Sequence, residues 1–298
     1  MRHSHCTALL ACTTVLLALP ASAQDKKPEA KKPVDKTGYH LFNPTPMEHL
    51  RELSTDRPDK TESAYTVDAG RFQVETDLLA YTYAKDNTPG NNTKTTSWAI
   101  TPINFKMGLT HNTDIQFVHE NYTKEKVDDR NAGTVERTSG RGDLTIRLKH
   151  NLWGNDGGDT ALALMPFVKL PTAKSGIGNT GVEGGLIVPL AISLPHEWGM
   201  GLMTQYTYAR NAPATDSKYH HEFINSVTVS HDIVGKLGGY AEIWTQVSTE
   251  RGARFQATAD LGLTYAISDN IQLDGGVNIG LTRASDDINP FLGLSFRF

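Results

Sequence analysis

Phe291-Leu292-Gly293-Leu294-Ser295-Phe296-Arg297-Phe298 (FLGLSFRF) ends the chain. In an extended strand successive side chains point to opposite faces. Leu292, Leu294, Phe296 and Phe298 therefore share one wholly apolar face, while Gly293, Ser295 and Arg297 share the other. An edge strand of a soluble sandwich fits this alternation. So does the closing strand of an outer-membrane barrel, which turns apolar residues to lipid, polar ones to the lumen and a terminal aromatic to the membrane interface. The two readings part on what precedes these eight residues.

From Gly70 onward the chain breaks into about twelve alternating runs of about 8 to 14 residues, the length a tilted membrane strand requires. In Phe255–Tyr265 the residues Phe255, Ala257, Ala259, Leu261, Leu263 and Tyr265 share one face, against Gln256, Thr258, Asp260 and Thr264. In Ile271–Leu281 the apolar face is Ile271, Leu273, Val277, Ile279 and Leu281, against Gln272, Asp274 and Asn278. The connections add an independent signal. The odd-to-even connections are Lys85–Thr95, Lys124–Gly140, Thr172–Gly181, Asn211–Lys218, Thr249–Ala253 and Thr282–Asn289, the even-to-odd ones Thr110–Asn112, Gly154–Asp159, Pro195–Gly199, Asp232–Lys236 and Ile267–Asn270, and long and short alternate with Thr249–Ala253 as the exception. Such barrels carry tight turns at one end and longer loops at the other. A soluble sandwich has no reason to keep that rhythm. The pattern predicts an all-β fold, an up-and-down antiparallel transmembrane barrel of about twelve strands over residues 70–298, with both termini on the periplasmic side.

Two runs read differently. Thr160–Pro171 and Val182–Leu194 are apolar on both faces over part of their length, which places apolar side chains in the lumen or beneath a plug. Pro102, Pro166 and Pro189 fall inside runs and predict bulges or bends.

The N-terminal end reads as an export signal. Arg2 precedes a short apolar run, Ala8–Leu19, then Pro20 and Ala21-Ser22-Ala23, a small-x-small cleavage site. The run is too short to span a bilayer as a helix, which needs roughly 20 residues. Residues 1–23 are the expected signal peptide, and both cysteines, Cys6 and Cys12, lie within it. Residues 24–36 (QDKKPEAKKPVDK) mix charge and proline without apolar periodicity and predict a disordered linker. Residues 37–69 form an N-terminal segment at the periplasmic rim or inside the lumen, with one short helical turn within Pro46–Leu53. The formal charge is -4 for the whole chain and, because Arg2 is the only charge in the signal, -5 after cleavage (-4 less one). Mean hydropathy is -0.39. A mildly acidic chain argues against a nucleic-acid partner, and alternating strands hide a barrel from hydropathy averages. The expected partners are the lipid bilayer, small organic solutes, and the outer-membrane assembly machinery through the strand ending at Phe298. No cofactor is expected.

Five stretches carry a family resemblance: Leu53–Gln73 with its TDRPDKTES core, Gly142–Leu152 followed by WGNDGG at 153–158, Met165–Thr172 (MPFVKLPT), Val182–Leu190 (VEGGLIVPL) and Asn289–Phe298 (NPFLGLSFRF). Together they resemble the phenol meta-pathway degradation family of outer-membrane transporter-like β-barrel proteins. The resemblance implies a bacterial outer-membrane barrel that passes small organic compounds. It brings no catalytic motif.

With the apolar face towards lipid, the lumen receives Arg71, Gln73, Glu75 and Asp77, then Lys106, Asp114 and Gln116. Further along it receives Asp143, Arg147, Lys149, Glu183, Glu222, Glu242, Asp260, Asp274 and Arg297. Buried charges must be paired, and acids and bases on neighbouring strands are expected to form ladders across a narrow lumen. Arg147 and Lys149 are the leading candidates for substrate contact, since two cations on one strand face suit a carboxylate or phenolate. Lys106, Glu75 and Asp77 are further lumen-facing candidates. The alternative is that these charges only hold the barrel together. Tyr81, Tyr83, Trp98, Tyr122, Trp153, Trp198, Tyr206, Tyr208, Tyr219, Tyr265 and Phe298 fall near strand ends, where interfacial aromatic girdles belong.

An outer-membrane lipid hydrolase is a rival reading, as is a non-conducting structural or adhesion barrel with a filled interior. Ser230 and His231 are adjacent and so point to opposite faces, although Ser226 or Ser230 shares a face with His220. No nucleophile elbow surrounds them. His220 and His221 likewise diverge, whereas zinc needs three or four convergent ligands. No catalytic or metal-binding role is expected.

Overall fold

The computed structural model describes residues 34–86, 91–173, 177–211 and 218–298. The expected signal peptide, linker residues 24–33, and parts of the expected connections Lys85–Thr95, Thr172–Gly181 and Asn211–Lys218 lie outside the described residues. The strands are β1 (Phe72–Asp86), β2 (Thr93–Thr110), β3 (Thr113–Asp129), β4 (Thr134–Gly140), β5 (Leu144–Trp153), β6 (Thr160–Leu170) and β7 (Glu183–Ser193). They continue as β8 (Gly199–Arg210), β9 (Tyr219–Val234), β10 (Leu237–Ser248), β11 (Gln256–Ser268), β12 (Ile271–Gly280) and β13 (Ile288–Arg297).

All pairings are antiparallel and the sheet closes on itself. The last strand meets the first, with Gln73 opposite Arg297 and Val74 opposite Phe296. Phe72 N donates to Phe298 O at 3.0 Å and Phe298 N donates back to Phe72 O at 2.9 Å. Among the described residues, closure leaves the spanning part of the wall without a free edge, which a bilayer demands of any sheet, and only the outer side of β4 in the arm is unpaired. The lower part of β3 pairs with β5 and the upper part with β4, so those two strands share one position in the wall. The barrel therefore has twelve wall positions, as the alternating runs predict.

The Lys124–Gly140 connection differs from the expectation of a loop. β3 continues to Asp129 and turns back through β4, with Thr123 opposite Gly140 and Asp129 opposite Thr134. Backbone pairing beyond the membrane needs no apolar face, so a charged hairpin arm leaves no alternation to read. Two of the three prolines show no bulge. Pro166 and Pro189 stay in register with Leu186 and Met203. The adjacent ladders lose pairs opposite them, between Arg147 and His150 on β5 and between Leu162 and Met165 on β6, without a shift. A missing N–H removes a bond from one side of the strand and leaves the register intact. At Pro102 the expectation fits better: β1 and β2 lose their pairs between Thr76–Ile103 and Ala80–Ala99, and β1 shifts register against β13 there, between Asp77 and Leu79.

Inside and outside follow the dyad repeat. Gln73, Glu75, Lys106, Asp114, Gln116, Lys149, Asp260 and Asp274 are buried inward, while Leu148, Leu261, Leu263, Ile279 and Leu292 stand exposed outward. The aromatics gather at the two rims. Phe72, Phe105 and Phe298 stack at the end with the tight turns, with centroids 5.9 and 5.7 Å apart. Tyr81 meets Trp98 at 4.5 Å and Tyr208 meets Tyr219 at 4.6 Å towards the loops.

On β6–β8 the two-faced apolar runs put Met165, Ile187 and Met203 inside as a buried cluster, packed by Phe167 and Ile224. Both expected explanations hold here. Apolar side chains line the lumen, and the N-terminal segment covers them, with Glu62 N donating to Met203 Sδ at 3.4 Å. Each such buried side chain contributes about 1.5–3 kcal/mol.

Candidate functional site: a segment inserted in the barrel lumen

Residues 54–68 run through the interior of the barrel, and their backbone enters it past Met47–His49, a single 3-10 turn. The TDRPDKTES stretch has no apolar periodicity to form a strand or helix, and its polar side chains radiate to the wall instead. Asp56 reaches β2 and β5, bonding Lys106 and accepting from Lys149 Nζ at 2.6 Å. Arg57 pairs with Asp77 of β1 at 2.5 Å and with Asp274 of β12 at 2.7 Å. Lys60 lies 3.3 Å from Asp260 of β11, donates to Thr258 at 2.8 Å, and its backbone N–H donates to Glu242 of β10 at 2.8 Å. Thr61 donates to Glu242 and shares a hydrogen bond with Ser226 of β9, both at 2.6 Å. Glu62 returns to β5, where Arg147 donates to it at 2.6 Å. One short segment thus ties strands around most of the circumference.

The insert ends against the turn-side floor. Val67 N donates to Asp114 Oδ2 at 3.0 Å, and Gly70 N donates to Gly108 O at 2.9 Å. Gly108 is required there, because a Cβ would stand 2.0 Å from the Asp68 carbonyl oxygen. Gly293 makes the matching space under Arg57, whose Nη2 lies 2.0 Å from where a Cβ would be. Outside the spanning strands, Asp156 accepts from Lys36 and from Arg51, both at 2.8 Å. Burial raises the Asp156 pKa, but these two cations outweigh it and hold the carboxyl below its ordinary value. Asp68 gathers Lys36, Arg51 and Arg297 at 3.2–3.5 Å.

All five lumen candidates meet the insert or its partners. Lys106 bonds both Asp56 and Glu75, and Glu75 also accepts the Asp56 N–H at 3.0 Å. Lys106, Lys149 and Glu75 are sealed, none more than 2 % exposed. Arg147 and Asp77 are only partly covered, at 20 % and 19 %. The expected strand-to-strand ladders are a minority. Lys106–Glu75 is one, and Lys169 lies 3.8 and 3.9 Å from Asp143 and Glu183. Most interior charges pair with the insert instead, which brings charges of both signs to the wall. Sequence reading missed Asp56, Arg57, Lys60 and Glu62 as those partners. Their signal was the alternating-sign run DRPDKTE preceding a barrel with many inward charges.

The insert leaves space on both sides. A cavity of about 210 Å³ on the loop side is lined by Arg147, Asp77, Glu62, Asn104 and Asp59, among others. Two cavities of about 480 and 740 Å³ lie on the turn side along β9–β12. The serine–histidine pair does not assemble: His220 bonds Asn211 at 2.8 Å and Glu222 at 3.1 Å, while Ser226 bonds Thr61. His221 points outward to the Tyr206 hydroxyl at 2.9 Å.

Residues 55–298 match the family model described as "Putative MetA-pathway of phenol degradation". No curated protein matches. Among solved structures, the chain is similar to an outer-membrane channel from Pseudomonas putida F1, with 13% identity, a TM-score of 0.62, and 82% of this chain and 100% of that one covered. It is also similar to the translocator domain of the autotransporter NalP from Neisseria meningitidis (10% identity, TM-score 0.50, 76% and 88% covered). The β domain of the Bordetella autotransporter BrkA gives 11% identity, TM-score 0.50, and 76% and 99% covered. At these identities the likeness speaks for the fold, an outer-membrane type of β-barrel.

Proposed function

The chain belongs to the family of that phenol-degradation description, and from this premise we propose that it is an outer-membrane channel for the passive movement of small organic molecules, aromatic ones included. The carrying observation is a closed barrel whose insert is flanked by polar cavities on both sides. The similar Pseudomonas barrel is itself described as an outer-membrane channel. Arg147 and Asp77, partly uncovered beside the loop-side cavity, are the candidates for touching a passing solute; Lys106, Lys149 and Glu75 act through the insert they anchor. Export by a cleaved signal and delivery to the assembly machinery through Phe298 belong to the same reading.

The test is solute entry into proteoliposomes holding the refolded barrel, comparing phenyl glucoside, a plain sugar and benzoate with protein-free vesicles. A filled, non-conducting barrel is the second reading, favoured by the number of strands the insert ties together. It predicts no entry of any solute.

A further inference from the structure

The turn-side cavity of about 480 Å³ and the loop-side cavity of about 210 Å³ share two lining residues, Arg57 and Asp59. The two turn-side cavities in turn share Leu53, Asp232 and Gln272. A route past the insert therefore narrows at Arg57 and Asp59. Their charges are not equivalent. Arg57 is held by two carboxylates, Asp77 and Asp274. Among the described residues no lysine or arginine forms an ion pair with Asp59. Around the loop-side cavity, Arg147 offsets Glu62, and Lys106 and Lys149 offset Asp56 and Glu75. The Arg57 cluster carries one excess negative charge, and Asp59 adds another.

Resting on the channel reading above, we infer that Asp59 sets the charge selectivity of this route, so that it admits cations and neutral solutes and excludes small anions such as carboxylates. A fixed carboxylate at a constriction lowers the energy of a cation there and raises that of an anion. Its effect depends on ionisation. The groups that face it are Glu242 and Tyr240 of β10 and Asp56 and Arg57 of the insert, with Glu62, Glu75, Asp77 and Arg147 around the loop-side cavity and Glu197, His231 and Asp232 around the turn-side one. Selectivity for cations should therefore grow as pH rises through the range in which that carboxyl ionises.

The experiment is the reversal potential of the full barrel in a planar bilayer under a potassium chloride gradient, at about pH 4, near the ordinary aspartate value, and at about pH 9, well above it. Heat-modifiable migration checks that each variant is folded. The wild type should favour potassium over chloride at the higher pH, and Asp59→Asn should lower that permeability ratio by about twofold to fivefold. Asp59→Glu should retain it. A wild type that favours chloride, or an Asp59→Asn barrel as selective as the wild type at the higher pH, overturns the role of Asp59 and leaves the channel standing. A folded, inserted barrel without any ion current overturns both.

Discussion

Lys149 of β5 donates to Asp56 of the insert at 2.6 Å, with the two side chains 1 % and 5 % exposed. A sequence reader sees two cations, Arg147 and Lys149, on one strand face. In the folded chain they have unequal surroundings, because Arg147 borders a cavity and Lys149 is sealed.

That inequality predicts unequal costs. Lys149→Ala leaves a buried carboxylate short of one partner and should destabilise the barrel by about 3–5 kcal/mol. Arg147→Ala takes the cation from Glu62, but the pair borders a cavity that water can enter, so it should cost less, about 1–3 kcal/mol. Urea unfolding of the two refolded variants compares them, and equal losses would contradict the difference in burial.

At Gly108 the backbone of the insert lies against the wall, with the Asp68 carbonyl oxygen 2.0 Å from where a Cβ would stand. Gly108→Val should displace the Asp68 carbonyl and loosen residues 54–68 while leaving the strands paired. Hydrogen exchange followed by mass spectrometry should show faster exchange confined to the insert and its immediate partners.

The Asp156 contact to Lys36 and Arg51 gives a pH dependence. Its folded pKa lies below the unfolded value of about 3.9, so its contribution is complete above that value and disappears as pH falls through the folded pKa. Residues 36–51 should become more accessible to an acid-active protease below about pH 4. Asp156→Asn should show that accessibility already at neutral pH.

Removing the insert should widen the route. A chain lacking residues 55–66 should insert as a barrel and carry a larger single-channel conductance than the full chain. Unchanged conductance would mean that the insert does not limit the route.

The barrel was legible because alternation in Phe255–Tyr265 and Ile271–Leu281 is imposed by lipid outside and water or polar groups inside. The arm formed by β3 and β4 was not, since beyond the membrane nothing enforces that alternation. The insert was least legible of all. A turn-rich polar stretch such as TDRPDKTES has the same composition in a solvated linker as in a lumen, and only the inward charges waiting for partners distinguish the two. Glu75, Asp77, Lys106, Arg147 and Lys149 were found by parity along their strands; what they bind depends on contacts more than a few residues away in sequence.

The most direct test of the central claim is uptake of phenyl glucoside, neutral and too polar to cross lipid readily, by proteoliposomes of the refolded barrel. A channel beside the insert predicts entry well above protein-free vesicles, with benzoate slower. No entry of phenyl glucoside or of the plain sugar, through protein shown to be folded and inserted, would contradict it.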